Sequence, residues 1–384
     1  MASYLAFMEI WRNRSRFFLF SLVIALITTL VLFIAALAQG LSNANIEYLS
    51  KLDAQLIVFQ KNVDLSASAS QITRSTLNNI QRVNGVLDIG SIGTSSGKIV
   101  NIPGKDPLDV SLLGVEPMKP GSPLVIAGSP VTLSRGNEAV IDQDLSTELG
   151  LGLGDSFTVR TIQGTDEKFY TFNVTGITES LEYLYSSSIF LPYLTWDQIR
   201  PQPSTRDSNR ETVANFVAVK LKPGSDPKIV AENIQSQVVN VEVVDKKTAY
   251  EATPGYSVQQ STLNTQQGFT LLIGVLVIGG FFQIQMLQKV PLIGVLKAIG
   301  TSNSTVAWAV VTQIVLITTF GVIMGSLVTF GLAAAMPDGV PIIFNGPSIL
   351  LAVAALLIIG PLGGLVSVKL AVNVEPLTAL GLTS

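Results

Sequence analysis

The chain has 384 residues, of which 48% are hydrophobic and 13% charged, with a formal net charge of −3 and no histidine or cysteine. A soluble domain carries roughly 25% charged residues, and the deficit here lies in about the first 40 and the last 120 residues. The composition excludes disulfides, thiolate catalysis, imidazole bases and most zinc or haem ligand sets, and without a basic tract we expect no nucleic-acid partner.

Four apolar segments predict membrane spans: Phe17–Ala38, Gly268–Leu287, Val306–Ala335 and Ile349–Val368. A helix needs about 20 mostly apolar residues to cross the hydrocarbon, and none of the four contains Asp, Glu, Lys or Arg. The first segment has a second interpretation, because Ala36-Leu37-Ala38 is similar to a signal-peptidase site. Its apolar stretch exceeds the roughly 7–15 residues of a signal peptide, which favours an uncleaved helix.

The basic residues that flank the spans predict the orientation. Short cytoplasmic loops are enriched in Lys and Arg, and all such residues next to these spans fall on one side: Arg12, Arg14, Arg16, Lys289, Lys297 and Lys369. We therefore expect both termini in the cytoplasm and Asn43–Leu263 outside.

The segment between the first two spans has the pattern of a mixed α/β domain. Strands are predicted at Ala54–Gln60, Leu108–Val115, Glu138–Ile141, Ser156–Thr161, Phe169–Ile177, Ser188–Leu191, Phe216–Leu221 and Val241–Val244. Helices are predicted at Ser70–Val83, Leu145–Leu149 and Pro227–Val238, the last from apolar residues at helical spacing. Asn43–Leu52 and Ala249–Asn264 are expected to continue the flanking spans outward as stalk helices.

No catalytic constellation is found in this segment. Gly93–Lys98 has three residues between its glycines, where a phosphate loop has four, and Ile99 follows where Ser or Thr is required. We therefore interpret it as a turn before a strand. Asp142 and Asp144 could indicate a metal site, but acidic residues here fit the capped start of a helix better.

Three motifs resemble the ABC permeases of the MacB/FtsX type: Lys289–Ser302, which includes Ile-Gly-Val-Leu-Lys-Ala-Ile-Gly, Asn137–Asp155, and Val374–Leu380. In that family the first motif is a coupling helix seated on the ATPase subunit, and here it covers residues 289–303. The candidate coupling residues are Pro291, Leu292, Ile293, Gly294, Val295, Leu296, Lys297, Ala298, Ile299 and Gly300.

The residues of this motif suggest how it works. Pro291 suits a helix start, and Ile293, Leu296 and Ile299, each three residues from the next, are expected to form the apolar face that contacts the ATPase. Pro291-Leu292 replaces the family's arginine–glutamate pair, so no acidic anchor is present there, and contact would rest on apolar packing and Lys297.

The resemblance implies the architecture of the whole chain. We expect a membrane protein with four transmembrane helices, one plus three, and a large extracytoplasmic mixed α/β domain inserted between helices 1 and 2. The expected domains are 1–42 (N-terminal segment and helix 1), 43–265 (outer domain with stalks) and 266–384 (helices 2–4, coupling helix and cytoplasmic tail). The expected location is the bacterial cell (inner) membrane. Gly321, Gly325, Gly360 and Gly364 are candidates for dimer contacts or for packing within the chain.

The resemblance also implies partners. We expect a homodimer, a separate ABC ATPase that binds ATP and magnesium while this chain binds no cofactor, the lipid bilayer, and in some systems a periplasmic adaptor. Tyr4–Trp11 together with Ala38–Leu41 resembles two subgroups of the family, the HrtB-like haem-efflux and the DevC-like glycolipid-export permeases. An exporter of an amphipathic substrate is the first hypothesis, since no ionisable residue in the spans offers an ion relay. An FtsX-like mechanical transmitter and a receptor without an ATPase are the alternatives.

The substrate stays open among haem, lipid, glycolipid, peptide and drug. Met324 and Met336 are the candidate haem ligands in a chain without His or Cys. Gap filling in an apolar core is the other interpretation of each methionine.

The orientation leads to a first test in a chain that has no native cysteine. We expect Ser96→Cys, and not Ser302→Cys, to react with a membrane-impermeant maleimide in intact cells, because only residue 96 lies on the predicted outer side. Both variants should react in permeabilised cells. Equal labelling of the two in intact cells would contradict the topology.

Overall fold

The computed structural model describes residues 14–201, 212–336 and 342–373. The chain divides into two compact units. We call residues 1–41 with 260–384 the helical unit, and residues 42–259 the sheet unit.

The described residues form nine helices. They are α1 (Arg14–Lys51), α2 (Arg74–Gln81), α3 (Gln143–Leu149), α4 (Tyr193–Ile199), α5 (Pro227–Gln237), α6 (Lys246–Glu251), α7 (Tyr256–Ala298), α8 (Asn303–Ala335) and α9 (Gly346–Val372). They also form twelve strands: β1 (Leu56–Gln60), β2 (Ile72–Thr73), β3 (Val86–Val100), β4 (Leu108–Val115), β5 (Val125–Gly128), β6 (Glu138–Asp142), β7 (Ser156–Gln163), β8 (Asp166–Thr178), β9 (Ser188–Pro192), β10 (Val213–Ala214), β11 (Phe216–Leu221) and β12 (Val241–Asp245).

Three helices are long and apolar enough to cross a membrane, at Phe17–Asn43, Tyr256–Ala298 and Asn303–Ala335. The fourth predicted span lies in α9, whose apolar stretch among the described residues is Ile349–Gly364. That stretch is shorter than the roughly 20 residues that a crossing requires. Three of the four predicted spans are thus confirmed by length and composition.

The two predicted stalk helices differ in outcome. The first is confirmed, because α1 continues as one helix to Lys51. The second, Ala249–Asn264, is confirmed from Tyr256 onward, because α7 begins there and runs into the predicted span, and is wrong for residues 252–255, which separate α7 from α6. Pro254 disfavours helical geometry in the residue before it, and Gly255 has a φ of +83°, outside the helical region.

The predicted mixed α/β domain is confirmed, and its first layer is a four-stranded antiparallel sheet in the order β12-β1-β11-β3. In chain order its elements are β1, α2, β3, β11, α5 and β12, which is a split βαβ arrangement. Strands β4 to β9 are inserted between β3 and β11. Ile80 of α2 and Ile234 of α5 are fully buried in the core of this layer.

The inserted strands close into a ring with β3. The pairs run β3-β4, β4-β9, β9-β6, β6-β8, β8-β7 and β7-β3. Because the ring is closed, none of these six strands has a free edge. Strand β5 lies outside the ring and pairs with β8. β3 belongs to both layers, because its first half pairs with β11 and its second half with β4 and β7.

The interpretation of Gly93–Lys98 as a turn is wrong, because all six residues lie inside β3. Their small side chains make room for Trp196 of α4, which is fully buried and donates from Nε1 to Ser95 Oγ at 2.9 Å. A Cβ on Gly93 would lie 2.1 Å from Trp196 Cζ3, and one on Gly114 of β4 would lie 2.5 Å from its Cγ. The small residues of this motif therefore leave the space that the indole ring of Trp196 occupies on the sheet.

The packing of Trp196 against Gly93 predicts that Gly93→Ala destabilises the protein. The added methyl group cannot fit beside the buried ring, and overpacking of this kind costs about 1–3 kcal/mol. The measurement is the thermal unfolding midpoint of the full chain in detergent. Gly152→Ala is the matched control, since the nearest atom to its Cβ is Asp155 Oδ2 at 3.6 Å. Equal midpoints for the two variants would contradict the packing argument.

Candidate functional site

The predicted coupling residues form the end of α7 and the tight turn into α8. Gly300 has a φ of +101°, its N–H donates to the Lys297 carbonyl at 2.9 Å, and the Thr301 N–H donates to the Leu296 carbonyl at 3.1 Å. This pair of bonds is a Schellman motif, in which glycine adopts the left-handed conformation that stops a helix. Ser302 then caps α8 by accepting from the Thr305 N–H at 3.3 Å. The Ile-Gly-Thr-Ser sequence thus fixes a sharp reversal between two long helices.

Pro291 does not begin a helix, as the sequence had suggested. It lies inside α7, which runs without interruption from Tyr256 to Ala298. Proline has no N–H to donate to the carbonyl four residues back, that of Leu287. The segment 289–298 is therefore the continuation of a long helix.

The exposed apolar face of this segment shares only Ile299 with the predicted one. Ile293, expected at the contact surface, is only 6% exposed and packs in the core of the helical unit, and Leu296 is half-buried. The exposed apolar side chains are Leu292 (56%), Val295 (41%) and Ile299 (79%). Their spacing of three and four residues puts them on one side of a helix. We call these three residues the coupling stripe.

The two lysines of the segment contact other helices of the same unit. Lys297 Nζ donates to the backbone carbonyl of Val372, at the C-terminal end of α9, where a positive charge is favourable. Lys289 Nζ donates to Gln313 Oε1 of α8 at 3.0 Å and lies 5.7 Å from the centre of the Phe17 ring. The role of Lys297 in this structure is thus to hold the segment to α9.

The four candidate glycines all pack against helices of the same chain. A Cβ on Gly321 would lie 2.7 Å from Ile24 Cβ of α1, and one on Gly325 would lie 2.5 Å from the Ala25 carbonyl oxygen. A Cβ added to Gly360 of α9 would lie 2.2 Å from a side-chain atom of α8, and one added to Gly364 would lie 2.4 Å from another. Sequence reasoning missed a third contact, between α7 and α9, where a Cβ on Gly279 would lie 2.8 Å from the Gly363 carbonyl oxygen.

Asp142 is the N-cap of α3, as the helix-start interpretation predicted. Its Oδ1 accepts from the Leu145 N–H at 2.8 Å and its Oδ2 from the Ser188 N–H at 2.6 Å. Burial raises the pKa of Asp142 to about 7, although both backbone donors act in the opposite direction. Among the described residues, no group of three metal-binding side chains is present.

The two methionines that the sequence offered as haem ligands differ in exposure. Met324 is half-buried and Met336 is 38% exposed. The motif Val374–Leu380 and Arg12 lie outside the described residues.

Comparison with known sequences adds independent information. The family described as "MacB-like periplasmic core domain" matches residues 17–237, and "FtsX-like permease C-terminal" matches residues 268–376. The chain is 29% identical over 379 residues to a "Putative hemin transport system permease protein HrtB" of Staphylococcus haemolyticus, covering 98% of this chain and 99% of the relative. A protein of the same description from Staphylococcus epidermidis is 26% identical over 377 residues, with the same two coverages. The periplasmic region of MacB from Actinobacillus actinomycetemcomitans aligns with 53% of this chain and 93% of its own length, at 17% identity and a TM-score of 0.37.

The glycine contacts predict that Gly325→Leu destabilises the single chain. A larger side chain would collide with the backbone of α1, at a cost of about 1–3 kcal/mol or more. Thermal unfolding and mass photometry in detergent measure stability and oligomeric state together. Gly331→Leu, on the same helix with no neighbouring atom within 4 Å of its Cβ, should leave the midpoint unchanged. An unchanged midpoint in Gly325→Leu with a loss of dimers would assign this glycine pair to a dimer contact instead.

Proposed function

Because the chain belongs to the MacB/FtsX family of ABC transporter permeases, we propose that it is the membrane subunit of an ATP-driven exporter whose ATPase is a separate chain. The observation that carries this proposal is the coupling stripe beside the Schellman turn. Leucine, valine and isoleucine side chains at the end of a helix that leaves the apolar span are suited to a protein partner. Burying each of them would contribute roughly 1.5–3 kcal/mol.

The assembly that we propose is a homodimer with two ATPase subunits. Four helices are too few to enclose a path for a bulky substrate, and a twofold dimer is the commonest way to double them. In this arrangement α9 is the fourth span, both termini and the coupling stripe are cytoplasmic, and the sheet unit lies outside the bacterial cell membrane.

Hemin is the substrate that we propose to test first, because relatives that match almost the whole chain carry it in their description. It fits the class of amphipathic substrates that sequence reasoning indicated. Outward is the direction of transport that we propose for a permease with a large domain outside the membrane. The absence of Asp and Glu from the predicted spans favours ATP over an ion gradient as the source of energy. Such carboxylates are the usual mark of ion-coupled carriers.

A second function, mechanical signalling without transport, uses the same parts. The coupling stripe would then pass the ATPase cycle to the sheet unit, which would activate an external enzyme. Hemin-stimulated ATP hydrolysis with hemin transport in proteoliposomes supports export. Activation of a cell-wall hydrolase without transport would support signalling.

The coupling stripe predicts the effect of Ile299→Asp. A carboxylate at the most exposed of the three positions would have to be desolvated in the contact, so we expect the affinity for the ATPase subunit to fall roughly ten- to hundredfold. The measurements are co-purification of the ATPase and hemin transport. Folding should be unaffected, because the side chain is 79% exposed.

Two further variants make the test specific. Val239→Asp places the same charge at another exposed apolar residue, 87% exposed on the sheet unit, and should retain the ATPase. Leu292→Glu restores the residue that the family motif has there, and its effect should be mild, or should strengthen binding if the ATPase retains a basic acceptor. Normal binding and transport by Ile299→Asp would make the segment a simple connector and remove the main support for the proposal.

A further inference from the structure

A short segment of the sheet unit, Glu179–Ser186, holds the end of α1. We call it the clasp. The Tyr48 N–H donates to the Glu182 carbonyl at 3.1 Å, and Lys51 Nζ donates to the Ser180 carbonyl at 3.0 Å. Ser180 Oγ donates to Glu47 Oε2 at 3.1 Å. Three consecutive contacts therefore attach the last turn of α1 to the clasp.

The clasp continues into a turn with an unfavourable backbone. Leu184 and Tyr185 have φ values of +54° and +61°, and the Tyr183 and Ser186 backbones exchange hydrogen bonds of 3.1 and 3.3 Å around them. Two-residue turns with positive φ at both central positions favour Asn-Gly. Bulky residues are disfavoured in this conformation, because the Cβ lies too close to the following carbonyl oxygen, so the Leu-Tyr pair is kept against a local penalty.

The turn is fixed to the sheet. Ser111 of β4 donates from Oγ to the Tyr183 carbonyl at 2.7 Å, and its N–H donates to the Ser187 carbonyl at 3.0 Å. The ring of Tyr183 is buried and packs edge-to-face on Tyr48, with 6.1 Å between ring centres. Tyr48 of α1, the turn and β4 are therefore joined by direct contacts.

The unfavourable turn presents Tyr185 to the other helix. Tyr185 Oη donates to Gln259 Oε1 in the first turn of α7. A smaller pair such as Asn-Gly would relax the backbone but would lose this contact. Ser42 Oγ of α1 also donates a hydrogen bond to Tyr256 Oη of α7, at 3.2 Å.

We propose that Tyr185 is a positioning residue of the transport cycle, which joins α7 to the clasp so that α1, α7 and β4 move together when the ATPase acts. The inference rests on the proposed function, since it assumes that the ATPase drives these helices. The penalty of the Leu184-Tyr185 turn is then retained for coupling rather than for stability.

The test uses the full permease–ATPase complex in proteoliposomes, with hemin as the transported probe. Tyr185→Phe keeps the ring and removes the hydroxyl group that bonds to Gln259 of α7. We expect hemin exported per ATP hydrolysed to fall by about threefold or more, the factor that the loss of one hydrogen bond corresponds to. Gln259→Leu should cause the same loss, and the double variant no more than either single one, because all three remove the same interaction.

A matched control separates coupling from stability. Tyr170→Phe removes another tyrosine hydrogen bond of the sheet unit, 3.1 Å to Gln163 Nε2, and should keep the export ratio of the original protein. Replacing Leu184-Tyr185 by Asn-Gly should raise or preserve the thermal midpoint and still lower the ratio. An unchanged ratio in Tyr185→Phe, or an equal loss in Tyr170→Phe, would overturn the proposal.

A second measurement does not depend on the substrate. In the original complex we expect ATP to change amide hydrogen exchange in the clasp, and Tyr185→Phe to reduce that change by about threefold or more. No ATP-dependent change in the original complex would overturn the role of Tyr185. Exchange that responds to ATP while hemin stays inside the vesicles would contradict export of hemin and leave the coupling role supported.

Discussion

The pairing of β1 with β12 is the interaction on which the rest of the sheet unit depends. All five residues of β1 pair with β12, from Leu56 opposite Asp245 to Gln60 opposite Val241. These strands are the first and the last of the unit, so their pairing brings the two chain ends of an inserted domain together. Such a non-local pair can form only after the whole intervening chain is available.

That constraint explains the placement of the other elements. With β1 and β12 fixed, β11 completes the antiparallel layer on the other side of β1, and β3 must lie next to β11. β3 is long enough to leave this layer and enter the ring of inserted strands. The ring therefore depends on β3 for its position, and the clasp depends on β4 of the ring.

The helical unit is held by close approach of small residues, since apolar side chains gain little by leaving lipid for protein. Glycines lie at three helix pairs: α1 with α8, α8 with α9, and α7 with α9. Polar contacts are few, and one of them, Thr29 Oγ1 to the Gly325 carbonyl at 3.1 Å, exists because the glycine lets the two helices approach. Glycines consumed in this way within one chain are not available to a second copy, so a dimer would have to use other faces.

Sequence reasoning was most successful where one periodic signal dominated. Strands such as Leu108–Val115 and Phe216–Leu221 were predicted with their observed bounds, because their buried β-branched and leucine residues have no competing pattern. β3 was missed, because its centre is built from glycine, serine and threonine that leave room for Trp196. The reason for those small residues lies about 100 residues away along the chain, where no local pattern can reveal it.

The residues predicted as the coupling segment lie at the end of α7, and of the three predicted contact residues only Ile299 is exposed. Ile293, Leu296 and Ile299 satisfy helical spacing as well as Leu292, Val295 and Ile299 do, so periodicity alone cannot decide which face is free. The decision depends on neighbours in other helices: Ile293 packs in the core, and Lys297 is bound to the end of α9. The same information makes Pro291 an interior residue of α7, since helix length here is set by packing rather than by the proline.

The replacement of the family's glutamate by Leu292 has a consequence for the choice of partner. At 56% exposure Leu292 extends the apolar surface of Val295 and Ile299 by one further turn, so the coupling stripe is uninterrupted. The effect of Leu292→Glu therefore depends on the surface of the ATPase: a basic acceptor would pair with the new glutamate, whereas an apolar groove would have to desolvate its charge. With an apolar groove, the same position would also discriminate against the ATPases of permeases that keep the glutamate, because specificity is a difference between two affinities.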